Sequence, residues 1–215
     1  MKPKIQLAID ALTIEPYENI LSDIVEYVDI IEAGTLLCLS EGMNVVKKLK
    51  EKFTNKDILA DIRIIKAGSV LSKLAFDNNA DIVTIVSDCD EETIKAVFDK
   101  AKEYNKEIQV EITNEIDDDK IELLKKYNIN QIVIHRGSEL NSKNEDNFED
   151  EFFNKLDKLT KLGFNVSVTG GITKDDIHIF KNYKIYSFIM GRAILKAKEP
   201  LEEIKGIKNA IDNNF

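Results

Sequence analysis

Five ionisable side chains, Asp10, Glu32, Asp61, Glu111 and His135, each stand at or near the end of a short apolar run. The three arginines do the same. Arg63 closes ILADIR, Arg136 closes QIVIHR, and Arg192 follows FIM-Gly; the other 27 basic residues are lysines. A guanidinium offers a planar fork that grips phosphate or carboxylate at two points, which an ammonium cannot do. Asp10, Glu32 and Asp61 come from three consecutive runs. Carboxylates held close need a cation or a shared proton, and hard oxygens favour Mg²⁺, which takes one or two carboxylates and keeps several waters. A solvated acidic rim without metal is the alternative. His135 has the side-chain type that gives up a proton near neutral pH. Val168-Thr169-Gly170-Gly171 and Met190-Gly191-Arg192 close two further runs. Glycines there let backbone N–H groups approach an anion, helped by the start of a following helix, with Arg192 as a two-point partner. The second histidine, His178, falls inside a helical pattern and is expected to be structural or exposed.

These residues need elements that bring run ends together. Apolar, β-branched runs predict strands over 4–9, 29–33, 57–63, 81–86, 107–112, 130–135, 164–168 and 185–190. Amphipathic segments between them predict helices over 16–27, 41–53, 69–79, 90–104, 116–127, 148–162, 173–182 and 200–212. Thr173, three residues ahead of Asp176, is a helix cap. Strand and helix alternating eight times imply a parallel sheet, and closure of eight units makes a (β/α)₈ TIM barrel, an α/β fold. An open doubly wound sheet is the alternative, but no GxGxxG follows the first strand. No linker or low-complexity tract divides the chain, so residues 1–215 are read as one barrel domain. The polar stretch 137–150 (GSELNSKNEDNFED) is read as a long loop and a candidate lid. In a barrel, chemistry sits at the C-terminal ends of the strands, where all these side chains would converge.

Composition narrows the partners. Thirty Lys and Arg against 39 Asp and Glu leave a net charge of −9 with no basic stripe, which argues against nucleic acid. A phosphorylated substrate would need local cations against that field. No run reaches the ~20 apolar residues that span a membrane, and the N-terminus lacks a signal pattern. Cys38 and Cys89 form no metal or redox motif, so a reducing cytoplasm is expected.

In this order the residues resemble the 3-keto-L-gulonate 6-phosphate decarboxylase and hexulose-6-phosphate synthase family, within the orotidine-monophosphate-decarboxylase group of barrels. The resemblance is carried by LAID at 7–10, VDIIEAGTLLCLSEG at 28–42, LADIRIIKAG at 59–68, NNADIVTIV at 78–86, QVEIT at 109–113, VIHR at 133–136, VTGGIT at 168–173 and FIMGRAI at 188–194. The His135-Arg136 pair resembles the decarboxylase branch. The resemblance implies a cytoplasmic, Mg²⁺-dependent lyase that releases CO₂ from a β-keto sugar-acid phosphate through an enediolate, in ascorbate utilisation. It implies Glu32 and Asp61 as metal ligands, with Asp10 beside them on the substrate. Glu111 and His135 would hold hydroxyls and water, with His135 delivering the proton; Arg136 and Thr169 would meet substrate. Gly170, Gly171, Gly191 and Arg192 would bind phosphate. It also implies a homodimer with active sites at the interface. The family signature D-x-K-x-x-D reads here Asp61-Ile62-Arg63-Ile64-Ile65-Lys66. The lysine that stabilises the enediolate is Arg63, and the aspartate that crosses to the partner's site is Lys66. A further family arginine has no counterpart among Gly137, Ser138 and Glu139. Two alternatives follow: an aldolase joining formaldehyde to ribulose 5-phosphate, and a non-catalytic phosphosugar binder.

Overall fold

The computed structural model describes residues 2–136 and 145–215. Eight parallel strands close into a barrel in chain order: β1 (Lys4–Ile9), β2 (Ile30–Ala33), β3 (Asp57–Ile64), β4 (Ile82–Val86), β5 (Glu107–Glu111), β6 (Gln131–His135), β7 (Asn165–Thr169) and β8 (Ser187–Met190). β1 closes the ring against β8, with Lys4 opposite Ser187. The alternation of strand and helix is therefore met by closure, not by an open sheet. A helical layer surrounds it: α1 (Glu18–Ile24), α2 (Thr35–Glu41), α3 (Asn44–Lys52), α4 (Gly68–Asp77), α5 (Glu91–Tyr104), α6 (Asp118–Lys126), α7 (Glu145–Lys161), α8 (Arg192–Leu195) and α9 (Pro200–Asn214). Among the described residues no helix is long and apolar enough to cross a membrane.

Several element boundaries differ from the sequence expectation. The helix expected over 41–53 is α3, starting three residues later; α2 before it was not foreseen, and Gly42 at φ +69°, outside helical space, ends α2 and separates the two. The helix expected over 16–27 is α1 flanked by 3₁₀ turns at Glu15–Tyr17 and Val25–Tyr27. The helix expected over 173–182 is a 3₁₀ helix, Lys174–Phe180, and its Thr173–Asp176 pair forms the expected cap as a full capping box. α7 begins at Glu145, so 145–150 is helix and not loop; residues 137–144, the rest of the expected lid, and with them Gly137, Ser138 and Glu139, lie outside the described residues.

Strand alternation divides the core in two. One set of side chains packs outward under the helices, among them Ile5, Leu7, Ile9, Ile31, Val83 and Phe188, all essentially inaccessible. The other set fills the barrel interior. It contains small apolar clusters (Ala8, Val133 and Ile189; Ile30, Leu59 and Ile82) and a polar set, Gln6, Gln109, Ser167 and Ser187, each at most 1 % exposed. Buried polar groups persist only when hydrogen-bonded, and these bond to one another. Among the described residues one buried side-chain atom lacks a partner, Gln131 Oε1.

At the opposite end of the strands, Asp81 locks the β3–β4 entry. It accepts from Lys50 Nζ (2.8 Å), Lys106 Nζ (2.7 Å) and the Ile58 backbone N–H (2.9 Å). Burial works to raise its pKa, but those donors outweigh it and hold the carboxyl below the ordinary value.

Candidate active site

Register places the carboxylates side by side. Ala8 of β1 pairs with Glu32 of β2, and Glu32 pairs with Leu59 of β3, two residues before Asp61. Glu32 is 8 % exposed. Burial first, then the Asp61, Asp10 and Glu111 charges, push its pKa up to about 8, against a hydrogen bond from Gln6 that favours the ionised form. Asp10 is also raised, by burial and then by Asp61, and is eased by the Arg192 and Arg63 charges. The three carboxylates predicted to converge do so. Each oxygen of Asp61 is held by a hydroxyl, from Thr35 Oγ1 (2.5 Å) and Thr84 Oγ1 (2.7 Å). Asp10 closes over the start of α2: a methyl group added at Gly34 would stand 2.2 Å from Asp10 Oδ1.

Arg63 owes its position to a break in β3. The β3–β4 register shifts between Ala60 and Ile64, and Arg63 adopts φ +45°, uncommon for a side chain of its size. Its backbone N–H donates to Thr84 Oγ1 at 2.8 Å, so one threonine fixes both Arg63 and Asp61. The guanidinium crosses the barrel mouth to Glu111, with Nη2 3.1 Å from Oε1. His135 Nε2 lies 2.8 Å from the same oxygen. Glu111 is mostly buried, while Arg63 and His135 keep nearly half of their side-chain surface exposed. A single carboxylate from β5 thus orients an imidazole from β6 and a guanidinium from β3, leaving both reachable from solvent.

The glycine loops lie against neighbouring backbone. Gly170 adopts φ +103°, and a Cβ there would stand 2.2 Å from the Arg136 carbonyl oxygen; a Cβ at Gly191 would stand 2.6 Å from the Ala8 carbonyl oxygen. Gly171 (φ +68°) has open space around its Cβ position. The sequence expectation of helix starts behind both loops is corrected. A 3₁₀ helix follows β7, and the four-residue α8 follows β8, so little aligned dipole is available. Thr169 ends β7 with its hydroxyl 3.4 Å from the Ile189 carbonyl oxygen.

Two further expected site residues lie beside carboxylates outside this cluster. Arg136 Nη1 donates to Asp176 Oδ1 at 2.7 Å, bracing β6 against the capped 3₁₀ helix beyond the glycine loop. Lys66 is exposed past the end of β3, where its charge is felt at Asp90. His178 is exposed and bonds the Asp175 carbonyl, as expected. Sequence reasoning missed Gln6, Thr35 and Thr84, which hold the carboxylates. The available signal was polarity inside an apolar strand, at Gln6 in KIQLAI and Thr84 in IVTIV.

A divalent cation fits this donor set. The oxygens are hard, and mutual repulsion within the cluster is what a cation would relieve. Among the described residues no three His, Cys, Asp or Glu side chains stand grouped as metal ligands. Glu32 and Asp61 are the two carboxylates that would hold such a cation, with waters or substrate completing its shell.

Comparison with known proteins places the chain in a family. The chain is 36 % identical over 209 residues, 97 % of its length and 96 % of the relative's, to the 3-keto-L-gulonate-6-phosphate decarboxylase UlaD of Escherichia coli. The fold superposes on 3-keto-L-gulonate-6-phosphate decarboxylase from Vibrio cholerae with a TM-score of 0.87 at 30 % identity, covering 100 % of both chains. It superposes on 3-hexulose-6-phosphate synthase from Salmonella typhimurium with a TM-score of 0.84 at 29 % identity, covering 99 % of this chain and 100 % of that one. Residues 3–207 match the family described as orotidine 5'-phosphate decarboxylase / HUMPS, and the chain belongs to that family.

Proposed function

We propose that this protein is a carboxy-lyase that releases CO₂ from a β-keto sugar-acid phosphate of the 3-keto-L-gulonate 6-phosphate type. The observation that supports this reading best is the grouping, on one barrel rim, of the Asp10–Glu32–Asp61 carboxylates with Glu111 bound to both His135 and Arg63. The 36 % identity to a named decarboxylase points to the same reaction class. Gly170, Gly171, Gly191 and Arg192 bind the substrate phosphate through backbone N–H groups and the guanidinium fork. Glu32 and Asp61 would hold Mg²⁺, which when bound would supply positive charge against the developing enediolate oxygens. The bond from the α-carbon to the carboxylate breaks, CO₂ leaves, and the electron pair stays conjugated with the ketone. Asp10 contacts the substrate beside the cation, and Thr169 and Arg136 border it. Arg63 lends positive charge to the enediolate. His135, oriented by Glu111, returns a proton to the carbon. Arg63 keeps the charge of a lysine but is a poor proton donor, which leaves delivery to His135, or to Lys66 of a second copy.

A homodimer suits this reading. Leu12, Leu36, Leu39, Ile65, Val70 and Leu74 are large, exposed and apolar, and they follow β1, β2 and β3, the strands that carry the carboxylates. Buried, unpaired Cys38 and Cys89 suit a reducing cytoplasm.

A second reading, a phosphosugar binder without turnover, is favoured by the Arg63–Glu111 pair, which commits the guanidinium in place of the family lysine. CO₂ release from 3-keto-L-gulonate 6-phosphate, with Mg²⁺ and after chelation, separates the two. Mg²⁺-dependent release is expected, and Lys66→Asp should lower it if a second copy's ammonium contributes. No release, with the sugar phosphate still raising the melting temperature, overturns the lyase reading in favour of the binder. Turnover only with formaldehyde and ribulose 5-phosphate overturns it in favour of the aldolase.

A further inference from the structure

The barrel interior holds an amide pair that no step above uses. Gln6 Nε2 donates to Glu32 Oε2 at 2.6 Å and to Gln109 Oε1 at 3.2 Å. Gln109 Nε2 donates back to Gln6 Oε1 at 3.2 Å, and Ser187 Oγ approaches the same oxygen at 3.4 Å. Ser187 in turn donates to Ser167 Oγ at 2.8 Å. Gln6, Gln109, Ser167 and Ser187 are all within 1 % of full burial. Both hydrogens of the Gln6 amide are therefore used, and its oxygen accepts from Gln109, since the single Ser187 hydroxyl hydrogen goes to Ser167. Turning the amide over would face its oxygen to the Glu32 carboxylate and break the reciprocal bonds with Gln109. The network fixes which end of Gln6 meets Glu32, and it pins one carboxylate oxygen while leaving Oε1 without a bond from Gln6.

We propose that Gln6 is a positioning residue for Glu32, with Gln109 locking its orientation, so that the carboxylate presents one oxygen to a divalent cation. This rests on the reading of Glu32 as a cation ligand. Groups that orient metal ligands characteristically matter ~10–100-fold in metal affinity. Gln6 reaches neither substrate nor rim, and its effect is exerted through Glu32.

The test is calorimetric titration of MgCl₂ into the metal-free, full-length protein, with no substrate present. Gln6→Met should weaken Mg²⁺ binding ~10–100-fold. That variant leaves the Gln109 amide orphaned and can fold poorly. The double variant Gln6→Met/Gln109→Met removes both partners together, a change that is close to neutral for stability, and it should show the same loss. Ser167→Ala perturbs the same buried layer without touching Gln6 and should bind Mg²⁺ as the parent does. Parent-like affinity in a folded Gln6→Met or double variant overturns the proposal while leaving the cation reading in place. An equal loss in Ser167→Ala overturns it in favour of general loosening of the barrel core. A parent protein that does not bind Mg²⁺ overturns both this proposal and the cation reading.

Discussion

Gly170 and Gly171 are adjacent, both have positive φ, and both sit in the proposed phosphate loop, yet the structure assigns them unequal costs. At Gly171 an alanine Cβ meets nothing within 4 Å, so Gly171→Ala bears only the left-handed backbone penalty, about 1–2 kcal/mol. At Gly170 the Cβ would stand 2.2 Å from the Arg136 carbonyl oxygen and 2.9 Å from its carbonyl carbon and nitrogen. The obstacle is backbone, so it cannot rotate away. Relief requires β6 and β7 to separate by roughly 1 Å, more than close-packed interiors absorb freely. The Arg136 N–H to Thr169 carbonyl bond, 2.7 Å, joins the two strands at that point and would be lost. Backbone strain of about 1–3 kcal/mol, overpacking of about 1–3 kcal/mol and a lost hydrogen bond of about 1 kcal/mol together reach roughly 3–7 kcal/mol. For a chain of this size each kcal/mol moves the melting temperature by ~2–4 °C. Gly170→Ala should therefore melt about 6–28 °C below the parent, and Gly171→Ala only about 2–8 °C below. Scanning calorimetry at one fixed rate reads both, since unfolding of such barrels can be irreversible. Titration with inorganic phosphate adds the functional readout, with the larger loss of affinity in Gly170→Ala. Equal melting shifts in the two variants would refute the reasoning, because the clash with Arg136 is the main difference between them.

Three further outcomes are expected. Asp81→Asn removes a charge that two lysines and a backbone N–H stabilise, and should cost about 1.5–3 kcal/mol in urea unfolding at pH 7; because the Asp81 pKa is lowered on folding, its contribution is present above the ordinary carboxylate value and fades as acid carries the pH through the lowered folded value, so the gap between parent and variant should shrink on acidification, and a gap that stays constant through the acid range would sink the idea. His135→Asn should reduce kcat for CO₂ release ~10²–10⁴-fold with an unchanged melting temperature; a loss under tenfold would remove His135 from proton delivery. Leu39→Glu with Val70→Glu places charge on two highly exposed apolar positions and should shift a dimer to monomer in sedimentation equilibrium, whereas an unaltered mass would move the interface elsewhere.

Fold and rim were legible in the sequence because each rests on local periodicity. Alternating β-branched runs and amphipathic segments specify a βα repeat, and the repeat number leads to a closed barrel. Strand ends then name Asp10, Glu32, Asp61, Glu111 and His135 as neighbours with no knowledge of distance. The helix boundaries that failed were those decided by single residues or by packing. Gly42, at a positive φ, set off the unforeseen α2 and delayed the start of α3, and the segment after Thr173 tightened to 3₁₀ geometry under its capping box.

What the chain alone determined, then, is which side chains share a rim. Only the tertiary structure decided which of them touch. Arg63 meets Glu111 because a register shift in β3 turns its backbone left-handed; Arg136, one residue beyond His135, goes to Asp176 instead. Gly170 differs from Gly171 mainly because the Arg136 carbonyl of a neighbouring strand lies against it. Gln6 faces Glu32 because closing the ring brings Gln109, distant in sequence, alongside to fix its amide. Contacts of this kind depend on strand stagger and ring closure, quantities that no local pattern encodes.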